Sequence, residues 1–465
     1  EKYLEGEELS HEELFGGVKG AVKNRRLVPV LCGSAQKEIG VAEMIQVIET
    51  LLPSPVEAGA LASADDKEQR SPDENSPFSA LVFKAVTDPY VGQLTYFRVF
   101  SGTLRTDSEI LNAAKGQKEK CSHIYILQGK TQIEVEAAGP GYIAAVAKLK
   151  STTVGDTLSS PGEPILYAGI DVPKPVVSRA VHPLTRGDEE KVSVGLSKLA
   201  EEDPTFRIIR NVETKELVVE GMGDLPLDIM RSRLKSKFKV DVSLSTPKVA
   251  YKETVTSLGE GHEKHKKQSG GRGQYGEVFL KVEPKGIGEG YEFVNKIKGG
   301  VIPTNFIPAV EKGIVSAMEE GVQAGYPVVD VKVTVYFGSY HTVDSSEIAF
   351  KIAGAKAFKD GMSKAKPVLL EPIMNVTVTV SSEFMGDIAG DLNGKRGKIL
   401  GMEPVGNMQA VKAQAPQAEM FKYSSELRSR TGGRGSFEME LSHYEEVPHP
   451  IAQKIIEAAK KREEE

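Results

Sequence analysis

Two stretches of this 465-residue chain spell out the same order of elements, and that repetition limits the fold more than any single motif does. In the first, a strand at 176–181 precedes a helical pattern at 189–202, strands at 206–212 and 216–221, a second helix at 226–238 and a closing strand at 241–245. In the second, segments 373–380, 384–396, 398–405, 409–415, 418–430 and 435–446 run through the same series. Apolar residues recur every second position in the strands and at helical spacing in the helices. Each stretch therefore reads β-α-β-β-α-β, the split βαβ sandwich, which presents an open sheet face but fixes no function by itself.

The rest of the chain divides around these two sandwiches, placed at 173–250 and 372–447. Short alternating runs such as Leu81-Val82-Phe83, 94–100 and 142–146, separated by Gly-rich turns, predict a small β-barrel over 78–172. Segment 57–77 is small, charged and punctuated by proline, the composition of a solvated linker. Within 1–56, residues 27–35 read as a buried strand entering a turn; Val41, Met44, Ile45, Ile48, Leu51 and Leu52 then repeat at helical spacing until Pro53.

Between the sandwiches, over 251–371, Val329, Val331, Val333, Val335 and Phe337 alternate with Asp330, Lys332, Thr334 and Tyr336, which predicts a half-buried strand. It turns at 338–341 into a helix whose start resembles a capping box from Asp344 to Glu347, and another helix is expected at 306–320. The tail, 448–465, carries Ile451, Ile455, Ile456 and Ala459 on one face and should dock through that stripe. The fold class is multidomain α+β.

A net charge of -6 and a pI near 5.9 exclude a protein that coats nucleic acid non-specifically, so any RNA contact must come from local basic loops. Cys32 and Cys121 lack CxxC spacing and read as buried free thiols. No apolar run reaches the ~18 residues of a membrane span, and no signal peptide is seen, so a cytoplasmic compartment is expected. The chain begins at Glu1 inside a charged amphipathic pattern, which reads as a fragment or a processed form.

Several motifs match patterns without their context. Gly271 to Gly276 spells GxGxxG, but the following 277–282 reads as a strand, whereas a dinucleotide site needs a helix N-terminus there. Gly129-Lys130-Thr131 resembles the end of a P-loop, yet Ile124 occupies the position of its first glycine. Asp387 to Gly390 fits DxxG inside an amphipathic helix, and Asn295-Lys296 is followed by Lys298 where guanine recognition requires aspartate. No phosphate-binding loop is present, so the chain alone is not expected to hydrolyse a nucleoside triphosphate. His262 and His265 have HxxH spacing without further ligands nearby, which argues against a metal site.

Loop 262–275 gathers Lys264, His265, Lys266, Lys267 and Arg272 around glycines, with Gln268, Ser269 and Gln274 as neutral donors. It suits contact with phosphates and bases, or it is a solvated mobile loop. His341 stands where it can read RNA or cap the following helix; from the residues alone the cap is preferred. Two basic turns, 395–398 with Arg396 and Lys398, and 428–435 with Arg434, serve either as helix C-caps or as a phosphate-binding edge.

Long stretches resemble elongation factor G, the ribosomal translocase, from the end of its GTPase domain onward. They are 83–92 and 199–206, then Lys267-Gln268-Ser269-Gly270-Gly271-Arg272-Gly273-Gln274-Tyr275-Gly276, 299–303, and Phe337-Gly338-Ser339-Tyr340-His341 continuing to Glu347. The resemblance implies a GTPase-domain remnant at 1–56, a barrel, two sandwiches and an elongated arm domain at 251–371, on which the tail helix packs. It implies that Gly33, Ser34 and Ala35 are the last guanine-contacting loop, with GTP and magnesium gripped by residues outside this chain. It implies partners in the RNA of both ribosomal subunits and in the tRNA-mRNA complex. The tip contacts would come from Gln268, Ser269, Gly270, Gly271, Arg272, Gly273, Gln274, Ser339, Tyr340 and His341, with Arg396, Lys398 and Arg434 touching the large subunit. No membrane contact and a monomeric state are expected. Gly221-Met222-Gly223-Asp224-Leu225-Pro226-Leu227-Asp228 departs from the Gly-Met-Gly-Glu-Leu-His-Leu-Asp of the housekeeping factor, which points to a paralogue.

Overall fold

The structure, a computed structural model, describes residues 6, 8–88, 91–129, 131–268 and 273–464. It comprises two compact units, one of residues 1–173 with 190–206 and one of 174–189 with 207–465.

In the first unit, helix His11–Lys23 opens on a capping box between Ser10 and Glu13, and helix Val41–Leu51 ends just before the proline that the sequence marks as its stop. The strand expected at 27–35 does not form. Val28 and Val30 are 79% and 86% exposed, and no ladder pairs with them among the described residues. An apolar run becomes a buried strand only when neighbours satisfy its backbone groups, and none lies alongside. Cys32 is exposed for the same reason, whereas Cys121 is buried and its thiol is pushed up to about 12 by burial and by the nearby Asp107 charge. The expected linker is ordered: Leu61–Ala62 pairs with Gln69–Arg70, the Ala64 amide donates to Leu166 at 2.8 Å, and Arg70 bridges to Glu163.

The predicted barrel strands appear as an eight-stranded antiparallel sheet that includes Ser79–Asp88, Gly92–Ser101 and Ile143–Ala147. Phe78, Val82, Phe97, Val99, Ile110, Ile124 and Leu158 form its core. Helix Glu189–Glu202 belongs to this unit from Glu190 on, and Glu202 accepts the Thr87 amide at 2.9 Å.

In the second unit, the strands of the first sandwich order as Arg207–Asn211, Glu216–Gly221, Val177–Pro183 and Val242–Ser245, the arrangement of a split βαβ sheet. Helix Asp224–Phe238 starts two residues before the expected Pro226, because a proline in the first turn removes an N–H that has no intrahelical partner anyway. In the second sandwich the expected helix 418–430 is two pieces, Gln417–Met420 and Tyr423–Thr431; the break lets both Met420 and Tyr423 enter one core with Val376, Val411 and Phe437. Strand Pro367–Val380 begins six residues before the 373 expected. Along one edge it pairs first with Lys252–Val255 at the root of the arm and then with Met408–Pro416, and along the other, from Leu370 on, with Ser436–Glu446. Pro372 falls between the first two ladders, where a missing N–H costs nothing on that edge.

The arm is a four-stranded sheet ordered Gly259–Lys267, Gln274–Pro284, Val331–Ser339, Glu292–Asn295, with helices Ile307–Glu320 and Glu347–Lys364. Val278, Leu280, Val333, Val335, Ile314, Phe350 and Phe358 close its core. A Cβ on Gly261 would lie 2.0 Å from the Ala357 carbonyl oxygen, so this glycine lets the hairpin lie directly on the second helix. The tail helix His449–Glu464 half-buries Ile451, Ile455, Ile456 and Ala459, the stripe read from the sequence. No helix among the described residues is long and apolar enough to cross a membrane.

Candidate nucleic-acid interface at the arm tip

Strand directions gather the arm's loops at one end. Gly259–Lys267 runs toward that end and Gln274–Pro284 away from it; Val331–Ser339 runs antiparallel to the latter, and Glu292–Asn295 runs parallel to Val331–Ser339. The hairpin end at Lys267 and Gln274 and the loops 296–303 and 339–346 therefore share the tip. The basic stretch read as a loop from 262 is in fact hairpin strand as far as Lys267, and the strand resumes at Gln274. Ser269, Gly270, Gly271 and Arg272 lie outside the described residues.

A bulge shapes the approach to loop 339–346. Phe279 pairs with Phe337 but Leu280 with Val335, so Tyr336 is an extra residue and Phe337 moves from the expected core face to the wet face, 47% exposed. The shift brings Gly338 against the hairpin, where a Cβ would lie 2.3 Å from the Glu277 carbonyl oxygen and 2.5 Å from Ile302.

The polar network beneath the loops centres on Glu277, a residue that patterning on one strand does not single out. Ser339 Oγ donates to its Oε2 at 2.5 Å, Tyr275 sits 2.6 Å from Ser339 Oγ, and His262 Nε2 lies 3.0 Å from its Oε1. His262 also stacks on Phe279 at 3.9 Å between ring centres. Burial pushes the Glu277 carboxyl up, but Ser339, His262, Lys264 and Tyr275 outweigh that and hold it below its ordinary value of 4.5. A carboxyl depressed on folding stabilises the folded state above its unfolded pKa and loses that contribution as pH falls through the lower folded value. The acid limb of an unfolding titration of the arm, below about pH 4.5, should therefore flatten in Glu277→Gln. An unchanged acid limb would remove Glu277 as its source.

Asp344 ties the loops together. Its Oδ1 accepts the Gly273 amide at 3.1 Å, its carbonyl accepts the Tyr275 amide at 2.9 Å, and its Oδ2 lies 3.3 Å from His341 Nδ1. It is not the helix cap expected from the sequence; Ser346 caps Glu347–Lys364 by accepting the Ala349 amide at 3.3 Å. His341 does not cap that helix either: its Nδ1 accepts the amides of Val343 and Asp344, so the ring braces the turn that precedes the helix. Ser339 is engaged with Glu277, Tyr340 is exposed, and Gln274 lies 3.0 Å from His265. Gln268 closes the described part of the hairpin.

The remaining candidate residues lie elsewhere. The Ser34 amide donates to Ile39 at 2.9 Å and Gly33 abuts the same carbonyl. Ala35 is the first residue of the short 3₁₀ turn Ala35–Lys37, where an N–H has no intrahelical partner. Arg396 grips Glu371 with two nitrogens at 2.6 and 2.9 Å and reaches Glu419 at 3.2 Å, so its guanidinium is committed inside the second sandwich. Arg434 pairs with Glu383 at 3.0 Å over the Phe384 ring, and exposed Lys398 has no ion-pair partner among the described residues.

The decoy motifs resolve as their context indicated. Gln274 enters a strand rather than a helix, Ile124 sits in a strand of the barrel sheet, and Asp387 to Gly390 lie within helix Met385–Gly394. Among the described residues no three histidine, cysteine or acidic side chains gather as a metal site.

Family models described as elongation factor G domain 2, domain III, domain IV and C-terminus match residues 77–161, 172–246, 247–366 and 368–455. A crystal structure of a protein from Thermus thermophilus is 40% identical with a TM-score of 0.75; the match covers 99% of this chain and 67% of that one. With four consecutive domain models in register and this identity over almost its full length, the chain belongs to the elongation factor G family.

Proposed function

We propose that this chain is the ribosome-engaging part of a translocation factor, in which the arm tip enters the decoding region behind tRNA and holds the codon-anticodon unit as tRNA and mRNA advance. The observation that carries this reading is the convergence of the hairpin end, Lys267 and Gln274, and loop 339–346 on one end of a sheet braced from below by Glu277 and Asp344. A braced tip transmits displacement instead of folding back, and its lysines and neutral donors suit phosphate and base edges. The second sandwich would lean on large-subunit RNA through Lys398 and Arg434. GTP and magnesium would be held by a GTPase domain outside these residues, with Ala35 meeting the guanine base, and hydrolysis there would drive the conformational cycle. The factor would act as a cytoplasmic monomer.

In the full-length protein, His341→Ala should slow translocation about tenfold, equivalent to ~1.4 kcal/mol of barrier, while GTP hydrolysis on the ribosome stays at its unsubstituted rate. Translocation at the full rate would refute the role of the tip. Ribosome binding with no translocation by the unsubstituted protein would instead favour a factor that occupies the site as a blocker, rescue module or ribosomal protection protein.

A further inference from the structure

The sequence reading assigned two loops to the arm tip, and the topology adds a third. Strand Glu292–Asn295 runs parallel to Val331–Ser339 on the sheet's far edge, and the Lys296 amide continues the ladder by donating to the Val335 carbonyl at 2.8 Å. The chain then leaves the sheet at the tip end and returns through Ile302, whose buried side chain rests against Gly338. A Cβ on Gly338 would come within 2.5 Å of Ile302 Cδ1, so the third loop is seated directly on the turn that carries Ser339, Tyr340 and His341.

The charges of this loop differ from those of most of the arm. Lys281 pairs with Glu260, Lys285 and Lys332 with Glu292, Lys356 with Glu263, Lys359 with Glu320 and Lys364 with Asp360. Lys296 and Lys298 are exposed and have no acidic partner among the described residues, as is also true of Lys266 and Lys267 at the end of the hairpin. Gly299 and Gly300 follow, both with φ of 67°, so the loop turns tightly and presents no side chain just beyond the two lysines. Unpaired cations on a buried anchor, at the end of a body whose other charges are mostly neutralised in place, are suited to a polyanion that arrives from outside.

We infer that loop 296–303 is a third RNA-contacting element of the tip, with Lys296 and Lys298 meeting phosphodiester groups of an RNA backbone. This rests on the proposed ribosome-engaging function and names a contact surface which that proposal leaves open. Two lysines on one loop add attraction without reading sequence, so they set how firmly the tip is held once the other loops have entered.

Salt dependence of binding is the test, because each phosphate contact releases counterions and steepens the fall of affinity with salt. Co-sedimentation of this chain with purified ribosomes would be followed from about 50 to 200 mM monovalent salt. For Lys296→Gln/Lys298→Gln the slope of log affinity against log salt should be shallower by about 1.5, with weaker binding at the low-salt end. The control variant is Lys312→Gln/Lys351→Gln, which removes two exposed lysines on the arm helices that likewise have no ion-pair partner among the described residues. It should leave the slope unchanged. Since neither pair carries an internal contact, thermal unfolding should match the parent in both variants. Equal slopes for the parent and Lys296→Gln/Lys298→Gln, or an equal loss in the control, would overturn the inference. Failure of the parent to bind at low salt would instead sink the proposed function.

Discussion

Replacing Glu253 with alanine is expected to detach residues 321–327 from the root of the arm and to cost roughly 4 kcal/mol. Glu253 is fully buried, and its carboxylate accepts four backbone amides: Val322, Gln323 and Ala324 at 2.8 Å each and Tyr326 at 3.2 Å. Removing it leaves those donors without partners, at ~1 kcal/mol or more apiece where water cannot replace the lost oxygen. The same strand places Lys252 over the Tyr444 ring at 4.3 Å and 3.3 Å from Glu213, so the loop's anchor sits beside contacts to both sandwiches. Glu253→Gln keeps one acceptor oxygen but turns an NH₂ group toward amides that are themselves donors, so it should lose about half as much as alanine does. Because a chain of several domains need not unfold in one step, amide hydrogen exchange at 321–327 is the appropriate readout. Protection there equal to the parent's would show that the carboxylate is not what holds the loop.

The second large effect is expected at Arg396. Its partner Glu371 is almost completely buried, and the guanidinium meets it with two parallel bonds, the geometry that only arginine supplies. Arg396→Ala strands a buried carboxylate and should destabilise the second sandwich by about 3–5 kcal/mol, measured by denaturant unfolding of the intact chain. Arg396→Lys should recover only part of this, because an ammonium cannot span both carboxylate oxygens. Arg396→Ala combined with Glu371→Gln should recover more, since the stranded charge is gone. If the single and double variants unfold at the same denaturant concentration, the pair contributes nothing through its charge. The prediction separates Arg396 from its neighbours in sequence: any effect on ribosome binding should follow loss of structure, whereas Lys398→Gln should weaken binding without lowering stability.

The two sandwiches were legible in the sequence because their signal is local. Periodicity at 189–202 and 216–221 reports which face of each element is apolar, and the structure places these elements at the expected limits. The errors share a cause. The run 27–35 has the residues of a strand but no partner, and Phe337 has the parity of a core residue but stands beyond a bulge. The early start at Pro367 was hidden by Pro372, a strand breaker except where a gap between ladders makes its missing N–H harmless. In each case what decides is pairing with another strand, present or absent, and pairing is not written in the segment itself.

The candidate site divides the same way. Residue types at 262–275 and 338–341 mark a cationic, glycine-rich stretch, which is legible in the sequence because charge and backbone freedom belong to the residues themselves. The bracing of that surface was not legible. Glu277 works through Ser339 and His262 and Asp344 through Gly273 and Tyr275, across 15 to 71 positions of chain; in the second sandwich the pairing of Arg396 with Glu371 was equally hidden. The third loop needed the strand order as well, since only the direction of Glu292–Asn295 sends Lys296 and Lys298 to the tip. Sequence determined which elements form and what chemistry their surfaces carry, because those follow from local periodicity and side-chain type. Tertiary structure alone decided which charges are spent internally and which face outward, because a salt bridge or a ladder depends on a partner that folding, not sequence proximity, brings within reach.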